Sequence, residues 1–215
     1  MNSQSQRFVW GDSESSSTAK EISVSDDSSN ILLLSEATGG DEGPACGMLS
    51  SLTAGADWNA LLVTYGESGE RRLEEWREHV DGAPQSVTVL SIQGGDGPTT
   101  ISTTTENGSG VISFKRISDP DDLVRLGLAI SNCLGDWEDA GQRGIVCFDS
   151  ITALLQFVDL ERSFRFFHTL KYQVQSKGAV AHYHMDPTAL DDQTVIKLRS
   201  LFDEVVRTGT VDEAE

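Results

Sequence analysis

Gly144-Ile145-Val146-Cys147-Phe148-Asp149-Ser150-Ile151-Thr152-Ala153-Leu154 is the stretch on which the fold turns. Residues 144–148 form a continuous run of strand length that closes on an acid, Asp149. A strand without polar alternation is buried on both faces, which places it inside a parallel sheet. Downstream, Leu160, Phe164, Phe167, Leu170 and Val174 make one stripe of a long helix over 160–176, and Gly178 stands where a helix closes in the left-handed region. A strand over 179–185, a helix over 188–201 and a last strand over 202–208 follow.

Upstream the same alternation holds. Apolar strands are expected at 31–35, 59–65 and 86–92. Between them lie a helix over 44–56 with Met48, Leu49 and Leu52 on one side, and a helix over 70–80 with Leu73, Trp76 and Val80 at helical spacing. Residues 94–110 are rich in Gly, Thr and Ser and read as a flexible loop or hairpin excursion before a short strand over 111–117. Asp119-Pro120 has the form of a helix start, an acidic N-cap followed by proline, ahead of Leu123, Leu126, Ile130 and Leu134. Strands alternating with amphipathic helices predict an α/β fold: a three-layer α/β/α arrangement around a mostly parallel sheet.

The 215 residues suit one domain with short extensions. Residues 1–29 are dominated by Ser and acids, with Phe8, Val9 and Trp10 as the one apolar island, so this segment is expected to be largely disordered. The domain is then 30–208, and 209–215 a frayed tail. No apolar run reaches the ~20 residues of a membrane-spanning helix, and residues 1–30 carry no apolar signal core. A cytoplasmic location without membrane contact is the expectation. The cysteines, Cys46, Cys133 and Cys147, are too dispersed for a disulfide framework or a zinc-finger spacing and are expected to pack as small apolar groups.

The formal charge is -18, from 34 acids against 16 bases, and Arg outnumbers Lys. Such a surface opposes nucleic-acid binding, which needs clustered bases. The densest basic group, Arg71, Arg72 and Arg77, is interleaved with Glu70, Glu74, Glu75 and Glu78 and reads as solvated helix pairs. Acid excess with few lysines resembles proteins of salt-loving archaea, where molar salt shortens the Debye length to ~3 Å and net charge steers partners little.

Ligands of parallel sheets gather at the carboxyl ends of strands, so the loop after the first strand matters. It runs Glu36-Ala37-Thr38-Gly39-Gly40-Asp41-Glu42-Gly43-Pro44-Ala45-Cys46. Set against the phosphate-cradling pattern G-x-x-x-x-G-K-[ST] from Gly39, it puts Pro44 on the second glycine, Ala45 on the lysine and Cys46 on the hydroxyl residue. Proline has no N–H to offer a phosphate, alanine has no ammonium, and a thiol is a poor ligand for Mg²⁺. Asp41 and Glu42 add repulsion, about 3 kcal/mol for one unit charge facing another at ~5 Å and an effective dielectric of 20. No lysine lies between Lys20 and Lys115 to rescue another register.

Two segments then carry a resemblance. Leu61-Leu62-Val63-Thr64-Tyr65-Gly66-Glu67-Ser68 is similar to the strand end "V-S-F-E-E-S" of KaiC-type, RecA-like ATPases. The stretch from Gly144 to Leu154 resembles their Walker B segment, "V-V-I-D-S-L-T-A-L", and Gly178-Ala179-Val180-Ala181-His182 keeps the register of the following strand. The likeness spans about residues 30–208 and looks nearest to KaiC-like proteins of halophilic archaea with eroded P-loops. It implies a RecA-like fold. Asp149 matches the acid that orients Mg²⁺ through water in active relatives, and Glu67 the second of their paired glutamates, while Gly66 stands in place of the first. Gly39, Gly40, Gly43, Ala45, Cys46, Glu67 and Asp149 therefore form a vestigial nucleotide site. Asp149 is expected to cap the turn that follows it, and Glu67 to be a solvated loop acid.

His182, His184 and Asp186 fall at alternate positions of one strand and make a feasible metal set. Three ligands on one extended strand splay apart, so hydrogen-bonded histidines are the preferred reading and no metal is expected. Phe166 lies off the core stripe of its helix and is a candidate interface residue. The expectation is a catalytically inactive domain, not an enzyme and without a cofactor, with a regulatory or signalling role through a protein partner or an oligomer. A non-hydrolysing nucleotide or anion sensor holding ATP at the glycine loop is the alternative, and a recombination-type nucleic-acid module a disfavoured second.

Overall fold

The computed structural model describes residues 5–10, 20–25, 28–35, 57–80, 82–94, 101–105 and 110–207. Its strands are β1 Ser5–Trp10, β2 Lys20–Ser25, β3 Asn30–Leu34, β4 Trp58–Tyr65, β5 Ser86–Ile92, β6 Ile101–Thr105, β7 Val111–Ile117, β8 Arg143–Asp149, β9 Val180–Met185 and β10 Glu204–Arg207. The helices are α1 Gly69–His79, α2 Leu123–Asp139, a single turn α3 Ile151–Leu154, α4 Leu160–Ser176 and α5 Asp192–Arg199. Strands β10-β3-β9-β8-β4-β5-β7-β6 lie side by side in that order. The first seven of these run parallel, and β6 closes the edge antiparallel to β7.

Side-chain alternation feeds two cores. Leu61, Val63, Val146, Phe148, Ala181, Tyr183, Leu32 and Leu34 face the layer holding α2, α4 and α5. Trp58, Ala60, Leu62, Ile145 and Cys147 face the layer holding α1. Phe148 lies edge-on to Phe167 at 5.1 Å between centroids. Truncating such a ring costs about 3–5 kcal/mol. Gly144 is required where it stands: a Cβ there would sit 2.5 Å from the Trp137 ring, which lies against the strand.

Each helix starts on a side-chain cap. Ser68 accepts from the Arg71 amide, Asp122 from Arg125, Ser150 from Ala153, Asp159 from Arg162 and Asp191 from Thr194. Two sequence expectations change here. Asp119 does not cap α2; its carboxylate accepts from the amide of Asp121 at 3.0 Å, an Asx turn that carries Pro120, and Asp122 becomes the cap. The helix expected over 188–201 is divided: Pro187–Ala189 is one 3-10 turn, and Asp191 then restarts the chain as the shorter α5.

Within the stretch 94–110 lies β6, which pairs antiparallel with β7. Within residues 1–29, β1 and β2 form a separate antiparallel pair that puts Phe8 opposite Ile22. The sequence reading did not assign these two strands, because a short polar ribbon shows little hydrophobic periodicity. The expected helix over 44–56, the loop of residues 36–46 and the tail 209–215 lie outside the described residues.

A buried polar knot ties the edge of the sheet. Asn30 is fully buried and its side-chain carbonyl accepts from the Tyr183 hydroxyl at 3.0 Å. Asp203 Oδ2 accepts from the amides of Ser29 and Asn30, and Oδ1 pairs with Lys171 at 2.6 Å. The knot joins β3, β9, α4 and the entry to β10. Burial pushes the Asp203 carboxyl up, but the Lys171 ammonium and the Asn30 bonds outweigh it and hold it below the usual range. Replacing Asp203 with Ala is expected to lower the unfolding free energy by about 1–3 kcal/mol in urea titrations. A depressed folded-state pKa contributes stability that is complete above ~pH 4 and lost as pH falls through the folded value, so the gap between wild type and variant is expected to narrow in acid.

Candidate functional site

The parallel register brings one set of strand ends to a common edge. Thr64 is opposite Asp149, Phe148 opposite Tyr183, and Leu34 opposite Met185. Ser35, Gly66-Glu67-Ser68, Asp149-Ser150 and Asp186 therefore lie along the carboxyl edge, where ligands of open α/β sheets bind. Of the residues that the sequence reading assigned to a nucleotide site, Glu67 and Asp149 are on this edge. Gly39, Gly40, Gly43, Ala45 and Cys46 lie outside the described residues.

The residue that organises the edge is Arg72. It belongs to α1, which Ser68 starts immediately after β4, and its side chain is 4% exposed. Its Nε lies 3.5 Å from Asp149 Oδ2, its Nη2 donates to Cys147 Sγ at 2.9 Å, and its Nη1 is 4.0 Å from Glu75. Asp149 thus faces a guanidinium across the groove between α1 and β8. The sequence expectation that Asp149 caps the next turn is corrected: Ser150 is the cap, because its hydroxyl reaches the Ala153 amide. The view of Arg71, Arg72 and Arg77 as uniformly solvated pairs is corrected too. Arg71 does bridge Glu67 and Glu75 at the surface, at 3.0 and 2.9 Å, whereas Arg72 points into the sheet. The signal was present: Arg72 stands four residues before Trp76 and shares its buried face.

Glu67 is partly covered rather than fully solvated. Burial is the main cause that pushes its carboxyl up, the neighbouring Glu75 adds to it, and Arg71 opposes. Its backbone carbonyl accepts from Gln93 at 2.6 Å, which fixes the loop. Gly66 has φ of 77°, a conformation that L side chains rarely adopt, so the position matched to the first glutamate of the ATPases is shaped for glycine.

His182 and His184 are both buried, on the sheet face shared with Cys147. Their rings are 5.2 Å apart, and His184 Nε2 is 3.8 Å from Cys147 Sγ. Burial holds the His182 imidazole below its ordinary pKa, against the pull of Cys147. Asp186, the third residue of the strand-borne metal set, is not with them. It accepts from the Thr188 amide and hydroxyl and caps the 3-10 turn, since the strand has ended before it. Cys147 takes its place, a partner from the adjacent strand that linear spacing could not show. Phe166 is half-buried, 5.3 Å from Phe167 in edge-on contact. It lines an open groove of about 480 Å³ between α2 and α4, beside exposed Val124 and Leu128 and beneath Arg162 and Arg165. Among the described residues, no helix is long and apolar enough to cross a membrane.

The Arg72 arrangement makes a quantitative expectation. Arg72→Met removes the counter-charge of a largely covered Asp149 and is expected to destabilise by about 2–3 kcal/mol. Adding Asp149→Asn is expected to restore part of that loss. A denaturant double-mutant cycle then reads a coupling of about 1–2 kcal/mol, and a coupling near zero would show that the pair is not formed.

Residues 28–208 match the model of a family of unknown function, DUF7504. The chain belongs to that family. No curated protein matches it. Among solved structures it is similar to an ATPase from the type III secretion system of pathogenic bacteria, with a TM-score of 0.52 and 14% identity over 87% of this chain. The match spans 54% of that ATPase chain, and at such identity the likeness is one of fold alone. A Pyrococcus horikoshii OT3 structure aligns over 84% of this chain and 81% of its own at 13% identity, with a TM-score of 0.48, too low to carry an argument. The α/β architecture expected from sequence, RecA-like with a mostly parallel sheet between helices, is the fold observed.

Proposed function

We propose that this DUF7504 member is a catalytically inactive RecA/KaiC-like domain that acts through protein contacts, in a regulatory or signalling role or as a subunit beside active relatives. The observation that carries the reading is the Arg72–Asp149 contact. In a working site the acid at the end of β8 faces Mg²⁺. Here a covered guanidinium lies 3.5 Å from it, and two cations cannot share that carboxylate without mutual repulsion. Three further features support the reading. Ala45 and Cys46 stand where the triphosphate grip needs an ammonium and a hydroxyl. Gly66 removes one acid of the hydrolytic pair, and its positive φ disfavours putting one back.

The contact function is supported by the apolar groove of Phe166, Val124 and Leu128, a surface of the kind that marks protein interaction. The acid-rich, lysine-poor composition supports a place among KaiC-like proteins of halophilic archaea and a cytoplasmic setting. No cofactor is needed for this role, and no nucleic-acid partner is favoured by a charge of -18.

Thermal unfolding in high KCl with and without millimolar Mg-ATP tests the proposal. A nucleotide at 100 times its Kd stabilises by about 2.7 kcal/mol. The expected result is an unchanged midpoint and no phosphate release. A shifted midpoint without phosphate release would replace the reading with a non-hydrolysing sensor at Gly39, Gly40 and Gly43. Phosphate release abolished by Asp149→Ala would overturn it.

A further inference from the structure

Cys147, His182 and His184 bring a thiol and two imidazoles to one buried place, their potential ligand atoms all within 4.8 Å of one another. It is the one such group among the described residues. We propose that these three side chains bind a single divalent zinc ion, independently of any nucleotide. The donor chemistry fits: one thiolate and two imidazoles are the borderline-soft set that Zn²⁺ favours, and three protein ligands leave a fourth position open. The spacing fits as well. With Zn–S of ~2.3 Å and Zn–N of ~2.0–2.1 Å, tetrahedral geometry places sulfur and nitrogen about 3.6 Å apart. The observed separation of Cys147 Sγ and His184 Nε2 is 3.8 Å, close to that value, and the three ligand atoms, which lie within 4.8 Å of one another, draw together by up to about 1–1.5 Å as the ion binds.

The scaffold also fits. The three ligands sit on adjacent parallel strands, with Cys147 directly opposite His182, so the sheet ladder holds them in register. All three are at most 1% exposed. Arg72 Nη2, donating to the sulfur at 2.9 Å, is a hydrogen bond of the kind that steadies a metal-bound thiolate. Its own charge is met by Asp149 at 3.5 Å and Glu75 at 4.0 Å. With the thiolate counted, those formal charges carry a deficit of two, which a dication cancels. Binding moves one proton: the Cys147 thiol gives its hydrogen to solvent as the S–Zn bond forms, and both imidazoles bind as neutral bases.

The test uses the full-length chain without a histidine tag, stripped with chelator and kept in high KCl. Titration with Co²⁺ as a spectroscopic stand-in is expected to give a near-ultraviolet thiolate-to-cobalt band and tetrahedral visible bands that saturate at one ion per chain. Zn²⁺ is then expected to displace the cobalt and raise the melting midpoint. Cys147→Ser is expected to lose the charge-transfer band and to weaken zinc binding by more than the ~10–100-fold typical of outer-shell changes. Cys46→Ser and Cys133→Ser are expected to keep the band. His184→Gln supplies the same loss of affinity should Cys147→Ser not fold. A wild-type protein that binds no cobalt at saturation overturns the proposal. So does a band that survives Cys147→Ser and disappears in Cys46→Ser or Cys133→Ser.

Discussion

A parallel sheet covered on both faces offers its strands no solvent, so a polar side chain on them must bring its own partner. The rest of this structure depends on that constraint. Leu61, Val63, Val146 and Phe148 satisfy it by being apolar. Asn30 and Tyr183 satisfy it by bonding each other, with Asp203 and Lys171 completing the knot at the sheet edge. Cys147, His182 and His184 satisfy it as a group, with the Arg72 guanidinium donating to the sulfur.

Arg72 links that requirement to function. The same guanidinium that reaches Cys147 also meets Asp149, two residues further along β8 at the carboxyl edge of the sheet. A cation at that place is compatible with the folded α/β scaffold and competes with a second cation for the Asp149 carboxylate. Core packing and the chemistry of the edge are therefore not separable: one buried side chain on α1 serves both. The open face lies elsewhere, between α2 and α4, where Phe166 rests on the core and Val124 and Leu128 extend it toward solvent.

Much of the fold was legible in the chain. The strands over 86–92 and 111–117 and the helix over 160–176 stand where hydrophobic spacing places them, because long periodic segments carry their own signal. The start of α2 was misread by three residues. Asp119, Asp121 and Asp122 are all chemically able to cap, and only the local turn decides which one does. The division of the helix expected over 188–201 has the same origin in Asp191. For the site, Ala45 and Cys46 are read in the sequence at the places where the phosphate-cradling pattern has a lysine and a hydroxyl residue. The roles of Arg72 and Cys147 were not, since a helical arginine among glutamates reads as solvated and an isolated cysteine as a small apolar residue.

What the chain alone determined is the layered α/β architecture and the absence of any lysine between Lys20 and Lys115, both matters of residue type and local period. What tertiary structure decided is which polar side chains meet. Arg72 and Asp149 are 77 positions apart and Cys147 and His184 are 37 apart, separations across which periodicity carries no information. Those encounters follow from the sheet register and from where α1 packs, and a one-residue slip of a strand would turn its groups to the opposite face of the sheet.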